Sequence, residues 1–253
     1  VELYKKHNYT NKIIEYLVSR EIVEYDIQEA GFNIVKRYKL LSEYKINQLE
    51  QLSKKERHIS LGYIQRYDTD FRDQLNNKFV EVRKLFFEAN NINPDDVLSI
   101  KKDAIFMLKR CHCTEFDNIL FREKNIYTSY YYLNKKEMYV NNNTLDIKGI
   151  SDEKLKLHEN YMIDLLFKLF KMVELSSKRQ LINNLKEVSY FYKNKKLHIG
   201  YYRELNSDSL YRLKMIMPGT KEFIGVQYTD NIDNIEIEYN YMKYIVPIIN
   251  LIL

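Results

Sequence analysis

Apolar positions along the chain fall into runs whose period changes from place to place, and the changes mark out the elements. Ile22 to Ile27 is a short, β-branched apolar run that reads as a strand, with Asp26 near its end. Ala30, Ile34, Val35, Tyr38 and Leu41 then keep a helical period, which predicts a helix over 29–40. From Ser42 to Asn91 the pattern is helical almost throughout, and it divides at Ser53 and again near Asp68. Ser53-Lys54-Lys55-Glu56 fits the capping-box pattern, in which the serine and the glutamate satisfy each other's backbone N–H groups, so a helix is expected to start there. Phe79, Val82, Leu85, Phe86 and Ala89 form an apolar stripe on the helix that follows, and Pro94 ends it. Val97 to Ile100 and Ala104 to Leu108 are two apolar halves of a hairpin, which would lift Asp103 into an exposed position on a rigid support.

Before this block, Ile13, Ile14, Tyr16 and Leu17 lie at helical spacing and predict a short amphipathic helix. After it, residues 127–133, 137–140 and 145–150 are β-prone and are expected to continue the sheet of the Asp103 hairpin, with Tyr127 to Tyr132 serving as core. At Ser151 the character changes. His158 to Glu174 and Ser177 to Tyr192 read as helices, and the apolar run Tyr244 to Leu253, interrupted by Pro247, reads as a buried terminal helix or the cut edge of a longer chain. The fold class expected is therefore α+β in two parts: residues 1–150, with a helical insertion over about 42–92, and a mainly helical part over 151–253.

Composition narrows this only a little. Apolar residues make up 45% and charged residues 30% of the chain, which excludes disorder, and no run is long enough to span a bilayer, so a soluble protein without a membrane partner is expected. Lys and Arg total 40 against 35 Asp and Glu, a basic excess compatible with a polyanionic partner but not diagnostic of one. The 23 Tyr, 12 Phe and 6 Gly, with no Trp and abundant Asn, Lys and Ile, resemble the product of an AT-rich coding genome such as that of many phages. Cys111 and Cys113 are too close for an ordinary disulfide, and no signal peptide precedes the first expected helix; both point to a reducing compartment, the host cytoplasm if the chain is phage-encoded. Cys111-His112-Cys113 has no second ligand pair at zinc-like spacing and reads as strand residues. No phosphate-binding glycine loop, dinucleotide fingerprint or nucleophile elbow occurs.

The chemistry therefore falls to Asp26 and Asp103. One carboxylate at a strand end and another at a hairpin turn are what a two-metal phosphoryl-transfer site requires. Lys54, Lys55, Arg57 and His58 crowd a helix start, where the macrodipole disfavours cations unless an anion binds nearby. The alternative is a solvated helix face.

The order of these segments resembles the palm and fingers of phage-type DNA polymerases of families B and A, over roughly residues 20 to 150. Tyr25-Asp26-Ile27-Gln28-Glu29-Ala30 resembles their first catalytic motif, Ser99 to Phe106 the hairpin of their third, and Leu145 to Ile150 the strand with a Lys-Gly pair that follows it. The resemblance implies a palm-like antiparallel sheet, a fingers-like helical insertion and a thumb-like helical C-terminal part. It further implies template-directed nucleotidyl transfer, with Asp26 and Asp103 as Mg²⁺ ligands and Lys54, Lys55, Arg57 and Gly31 around the incoming triphosphate. Lys148 and Lys102 would face nucleic acid, with Lys168, Lys171, Lys178 and Arg179 as further backbone contacts. The partners implied are a primer-template, nucleoside triphosphates and an additional polymerase subunit or chain segment. Three departures stand out: Lys101 occupies the position of the first family B hairpin Asp, no Glu follows Asp103, and Gly31 aligns with a bulky residue that excludes ribonucleotides. They support a different reading, a non-catalytic phage structural or replication-accessory protein on a degenerate polymerase-like scaffold. A third reading is an interaction module whose tyrosine-rich strands are exposed.

Overall fold

The computed structural model describes residues 2–149, 162–202, 213–216, 223–226 and 245–252. The chain is α+β, and its contacts divide it into two compact units, residues 1–14 with 21–127 and residues 15–20 with 128–253. The expected change of character at Ser151 falls inside the second unit, and residues 150–161, with the start of the expected His158 helix, lie outside the described residues.

In chain order the first strands are β1 (Asn8–Thr10), β2 (Tyr16–Leu17) and β3 (Ile22–Ile27). Helices α1 (Ala30–Tyr38), α2 (Glu43–Glu50), α3 (Lys54–Tyr67) and α4 (Thr69–Ala89) follow. Then come β4 (Val97–Lys101), β5 (Ala104–Met107), β6 (Glu115–Phe116) and β7 (Ile119–Tyr127). All of these except β2 belong to the first unit, whose antiparallel sheet has the order β1-β4-β5-β3-β7-β6.

Strand β3 is central, and all six of its residues are buried. Val23, Tyr25 and Ile27 join a core with Ile34 and Val35 of α1, Phe79, Val82 and Phe86 of α4, and Ile105, Met107 and Phe121 of the neighbouring strands. The two-residue period of a strand sends Glu24 and Asp26 to the other face. The helical insertion thus packs on the face of the sheet that carries Val23, Tyr25 and Ile27.

The insertion divides where local chemistry dictates. Ser53 N–H donates to Glu56 Oε2 at 2.9 Å and Glu56 N–H to Ser53 Oγ at 3.4 Å, the capping box expected for α3. Asp68 caps α4 by accepting from Phe71 N–H at 2.9 Å. Caps of this kind contribute about 1 kcal/mol each. The buried stripe of α4 is turned relative to the expected one: Leu85 and Ala89 are exposed, and Arg83 and Phe87 are buried instead. Phe87 packs edge-on against Tyr4, 6.3 Å between centroids, so the N-terminal segment draws that side of the helix inward.

Two expectations fail here. The helix expected around Ile13 is absent; residues 8–17 supply β1 and β2, and Ile13 is exposed. Asn11 accepts the Ile13 N–H at 3.1 Å, a local side-chain bond that competes with helix formation, and β1 pairs with β4 through Tyr9 and Ile100. The β-prone segments after residue 127 do not extend the hairpin sheet either. The chain leaves it after Tyr127, and β8 (Ser129–Leu133), β9 (Lys136–Val140) and β10 (Leu145–Ile147) form a second antiparallel sheet, order β10-β9-β8-β2.

In the second unit, Tyr130 and Tyr131 are both buried, on opposite faces of β8, which fits their expected place in the core. Tyr131 stacks on Phe170 at 3.9 Å between centroids, in a core shared by α5 (Met162–Leu175) and α6 (Lys178–Lys193). The apolar C-terminal run forms α7 (Val246–Ile252) with Ile248 in that core, and β11 (Leu213–Ile216) pairs with β12 (Phe223–Val226). Among the described residues no helix is long and apolar enough to cross a membrane.

Candidate functional site

The register of β3 brings the two aspartates together. Asp26 pairs with Ala104 of β5 on one side and Arg122 of β7 on the other, and Ile27 N–H donates to Asp103 carbonyl at 3.2 Å. The β4–β5 turn is thereby folded against the end of β3, and Asp103 sits beside Asp26 at one end of the sheet. The turn is itself held rigidly. Lys102 adopts the left-handed region with φ 56°, and its N–H donates to His7 carbonyl at 2.7 Å. Arg83, 1% exposed on α4, donates to the carbonyls of Tyr4 at 2.9 Å, Lys102 at 2.5 Å, and Lys6. Burial lowers the Arg83 pKa to about 10, with the negative charge of Asp103 opposing the shift.

Asp103 is not the exposed carboxylate expected from the sequence. It is half-buried, and burial first, then the charge of Asp26, pushes its pKa above the usual carboxylate range. Asp26 is buried, and its Oδ2 meets Arg122 Nη2 at 3.1 Å and Lys124 Nζ at 3.8 Å. Lys124 also reaches the buried Glu24 at 3.5 Å, and Glu24 accepts from Tyr127 hydroxyl at 2.8 Å and Asn125 at 2.7 Å.

Both aspartates line a cavity of about 470 Å³. Its far wall is one stripe of α3, Lys54, Arg57, His58 and Leu61, at the i, i+3, i+4, i+7 spacing of a helix face. Lys102, Arg122 and Gly31 complete the polar and open parts of the lining. A Cβ at Gly31 would meet Leu61 Cδ1 at 3.6 Å, ordinary contact, so a larger side chain there would grow toward α3. Arg57 is anchored: it donates to Glu29 Oε2 at 2.8 Å and to Leu52 carbonyl at 2.8 Å, and lies over the Phe32 ring at 5.0 Å. A volume of this size suits a small, largely enclosed ligand, and this lining is suited to an anion held against a pair of carboxylates.

The other expected residues lie elsewhere. Lys55 falls off the α3 stripe, is exposed and does not line the cavity. Lys148 belongs to the second unit and pairs with Asp146 at 2.6 Å. Lys101, at the position of the missing hairpin carboxylate, donates to Asn8 Oδ1 at 3.1 Å and Thr10 Oγ1 at 3.0 Å on β1. Lys168 and Lys171 pair within their own helix with Asp164 and Glu174, each at 2.7 Å. Cys111 and Cys113 lie in a loop and not in a strand; Cys111 is buried with its thiol pushed up to about 11, and Cys113 is exposed.

Arg122, Lys124 and Arg83 escaped the sequence reading. A signal for the first two was present: Arg122-Glu123-Lys124 answers Glu24-Tyr25-Asp26 with opposite charges two residues apart, as antiparallel neighbours do. Arg83 gave none, since a basic residue on a long amphipathic helix ordinarily faces solvent.

Comparison with curated protein sequences returns no match. Among solved structures, the family B DNA polymerase from the hyperthermophilic archaeon Pyrobaculum calidifontis is similar at 11% identity and a TM-score of 0.44, over 92% of this chain and 44% of that one. This chain thus spans less than half the length of that polymerase. A family model described as Bacteriophage PBS1 gene 130 protein matches residues 1–253, and the chain belongs to that family.

Proposed function

We propose that this phage protein is a palm-type nucleotidyltransferase, or the catalytic part of one, which extends a nucleic-acid primer from nucleoside triphosphates. The observation that carries the reading is the β3–β5 register, which sets Asp26 beside the Asp103 turn at the mouth of a cavity whose other wall is cationic. The donor set fits a hard divalent cation such as Mg²⁺: two neighbouring carboxylates, with the His58 imidazole on the α3 wall and no sulfur in the cavity lining, and one of the two raised in pKa by burial first and then by its neighbour's charge. Asp26 and Asp103 would be its protein ligands, and the cation would there favour the ionised primer hydroxyl and offset charge on the leaving pyrophosphate.

The remaining roles belong to the chain's own side chains. Lys54 and Arg57 face the cavity from α3 and would take the triphosphate, with Arg57 preset by Glu29 and Phe32. Leu61 and Phe79 supply apolar lining that limits water around the reacting groups. Gly31 lines the cavity without a side chain and would leave the sugar 2′ position unobstructed, so ribonucleotides as well as deoxynucleotides are accepted. Lys102, exposed on the turn, and Lys148 would contact the nucleic-acid backbone, and an additional subunit or chain segment would complete the polymerase.

Lys101 favours the competing reading, a scaffold that binds nucleotide or nucleic acid without turnover, because it stands where a second hairpin carboxylate would and is tied to β1. Primer extension with Mg²⁺ and labelled nucleotides separates the two. Catalysis predicts incorporation by the wild-type chain and its loss in Asp26→Asn and in Asp103→Asn; binding without incorporation assigns the scaffold, and full activity in either variant removes the assignment of that residue.

A further inference from the structure

We infer that Arg122 is an exchange residue: it neutralises Asp26 in the free protein, and on nucleotide binding its guanidinium passes to a phosphate group while a divalent cation takes its place at Asp26. The inference rests on the nucleotidyltransferase reading and extends it to a residue outside the Asp26 and Asp103 pair. Three features of the site lead to it.

First, the pair is lopsided. The Asp26 side chain is 12% exposed and fixed in the sheet, whereas that of Arg122 is 41% exposed and lines the cavity, so the guanidinium is the partner able to leave. Second, cations already stand at Asp26 without any ligand. Arg122 and Lys124 both lie within 4 Å of Asp26 Oδ2, at 3.1 and 3.8 Å. A divalent cation arriving alone would meet two side-chain cations already at its ligand. Arriving with a polyphosphate, it would meet the same cations with new anions to receive them. Third, the partners match in shape. A guanidinium fork binds carboxylate and phosphate oxygens with the same bidentate geometry, so Arg122 can exchange one for the other by a side-chain rotation. Lys124, held by the buried Glu24 as well, stays with the sheet.

The signature is a pair of effects of opposite sign. Isothermal titration of the purified chain with MnCl2 alone, and then with a non-hydrolysable dATP analogue in the presence of Mg²⁺, compares the wild type with Arg122→Gln and Arg122→Lys. Removing the competing cation is expected to tighten Mn²⁺ binding about tenfold in Arg122→Gln and to weaken the nucleotide about tenfold, the equivalent of about 1.4 kcal/mol in each direction. Arg122→Lys, which keeps the charge without the fork, falls between the wild type and Arg122→Gln for both ligands. If Arg122→Gln weakens both ligands or changes neither, Arg122 is a structural ion pair and the inference is overturned while the site assignment stands. If the wild type binds neither probe, the nucleotidyltransferase reading falls and takes the inference with it.

Discussion

Replacing Arg83 by Met tests how the acidic turn is held. Arg83 is buried with its guanidinium spent on three backbone carbonyls, those of Tyr4, Lys6 and Lys102, and the last precedes Asp103. Methionine fills much of the same volume and donates nothing. Each hydrogen bond from a charged donor contributes about 2 kcal/mol, so the three together contribute about 6. Against this stands the burial of the charge itself: the pKa falls from 12.5 to about 10, which at 1.36 kcal/mol per unit is about 3 kcal/mol of unfavourable desolvation relieved by the substitution. The net loss expected for Arg83→Met is therefore about 3 kcal/mol. Urea denaturation followed by far-UV circular dichroism measures it; the chain has no Trp, and its two units make separate transitions possible, so the one that shifts should be that of the first unit. A loss under about 1 kcal/mol would mean that the carbonyls find other donors and that Arg83 does not fix the turn.

Other consequences follow from the same side chains. The raised pKa of Asp103 makes its contribution to stability fully present below the unfolded value of 3.8 and lost as pH rises through the folded value, so Asp103→Asn should raise the melting temperature at neutral pH and flatten its decline as pH rises above 3.8; a lower melting temperature at neutral pH would contradict this. Gly31→Tyr should grow into the cavity toward Leu61 and reduce ribonucleotide incorporation more than deoxynucleotide incorporation in primer extension; equal effects would remove Gly31 from the sugar contact. At pH 7.5 iodoacetamide should modify one thiol quickly, Cys113, and Cys111 only on unfolding, as mass spectrometry of the native and denatured chain would show.

Much of the site's scaffold was legible in the sequence because it is local. The β3 run, the capping box at Ser53, the break at Asp68 and the hairpin around Asp103 each carry their signal within a few residues. Strand β7 was missed because its centre, Arg122 to Asn125, is polar, and only its pairing with Glu24 and Asp26 explains that polarity. The passage from one sheet to another after Tyr127 was invisible for a similar reason: Tyr127 and Ser129 to Leu133 look alike in propensity, and their different partners lie far away in sequence. Arg83 and the inward turn of α4 depend on Tyr4 and Lys6, more than seventy positions away in sequence. The basic cluster resolved into its parts only in three dimensions, where the phase of α3 sends Lys54, Arg57 and His58 to the cavity and Lys55 away from it.

The claim on which the rest depends is that Asp26 and Asp103 together hold a divalent cation. Crystals of the wild-type chain soaked in MnCl2 together with a non-hydrolysable dATP analogue and measured for anomalous scattering test it without reference to turnover. The account predicts a peak within roughly 2.2 Å of a carboxylate oxygen from each aspartate, absent from Asp103→Asn crystals treated in the same way. Manganese bound elsewhere, or an empty site with Asp26 still paired to Arg122 when nucleotide is also present, would contradict it.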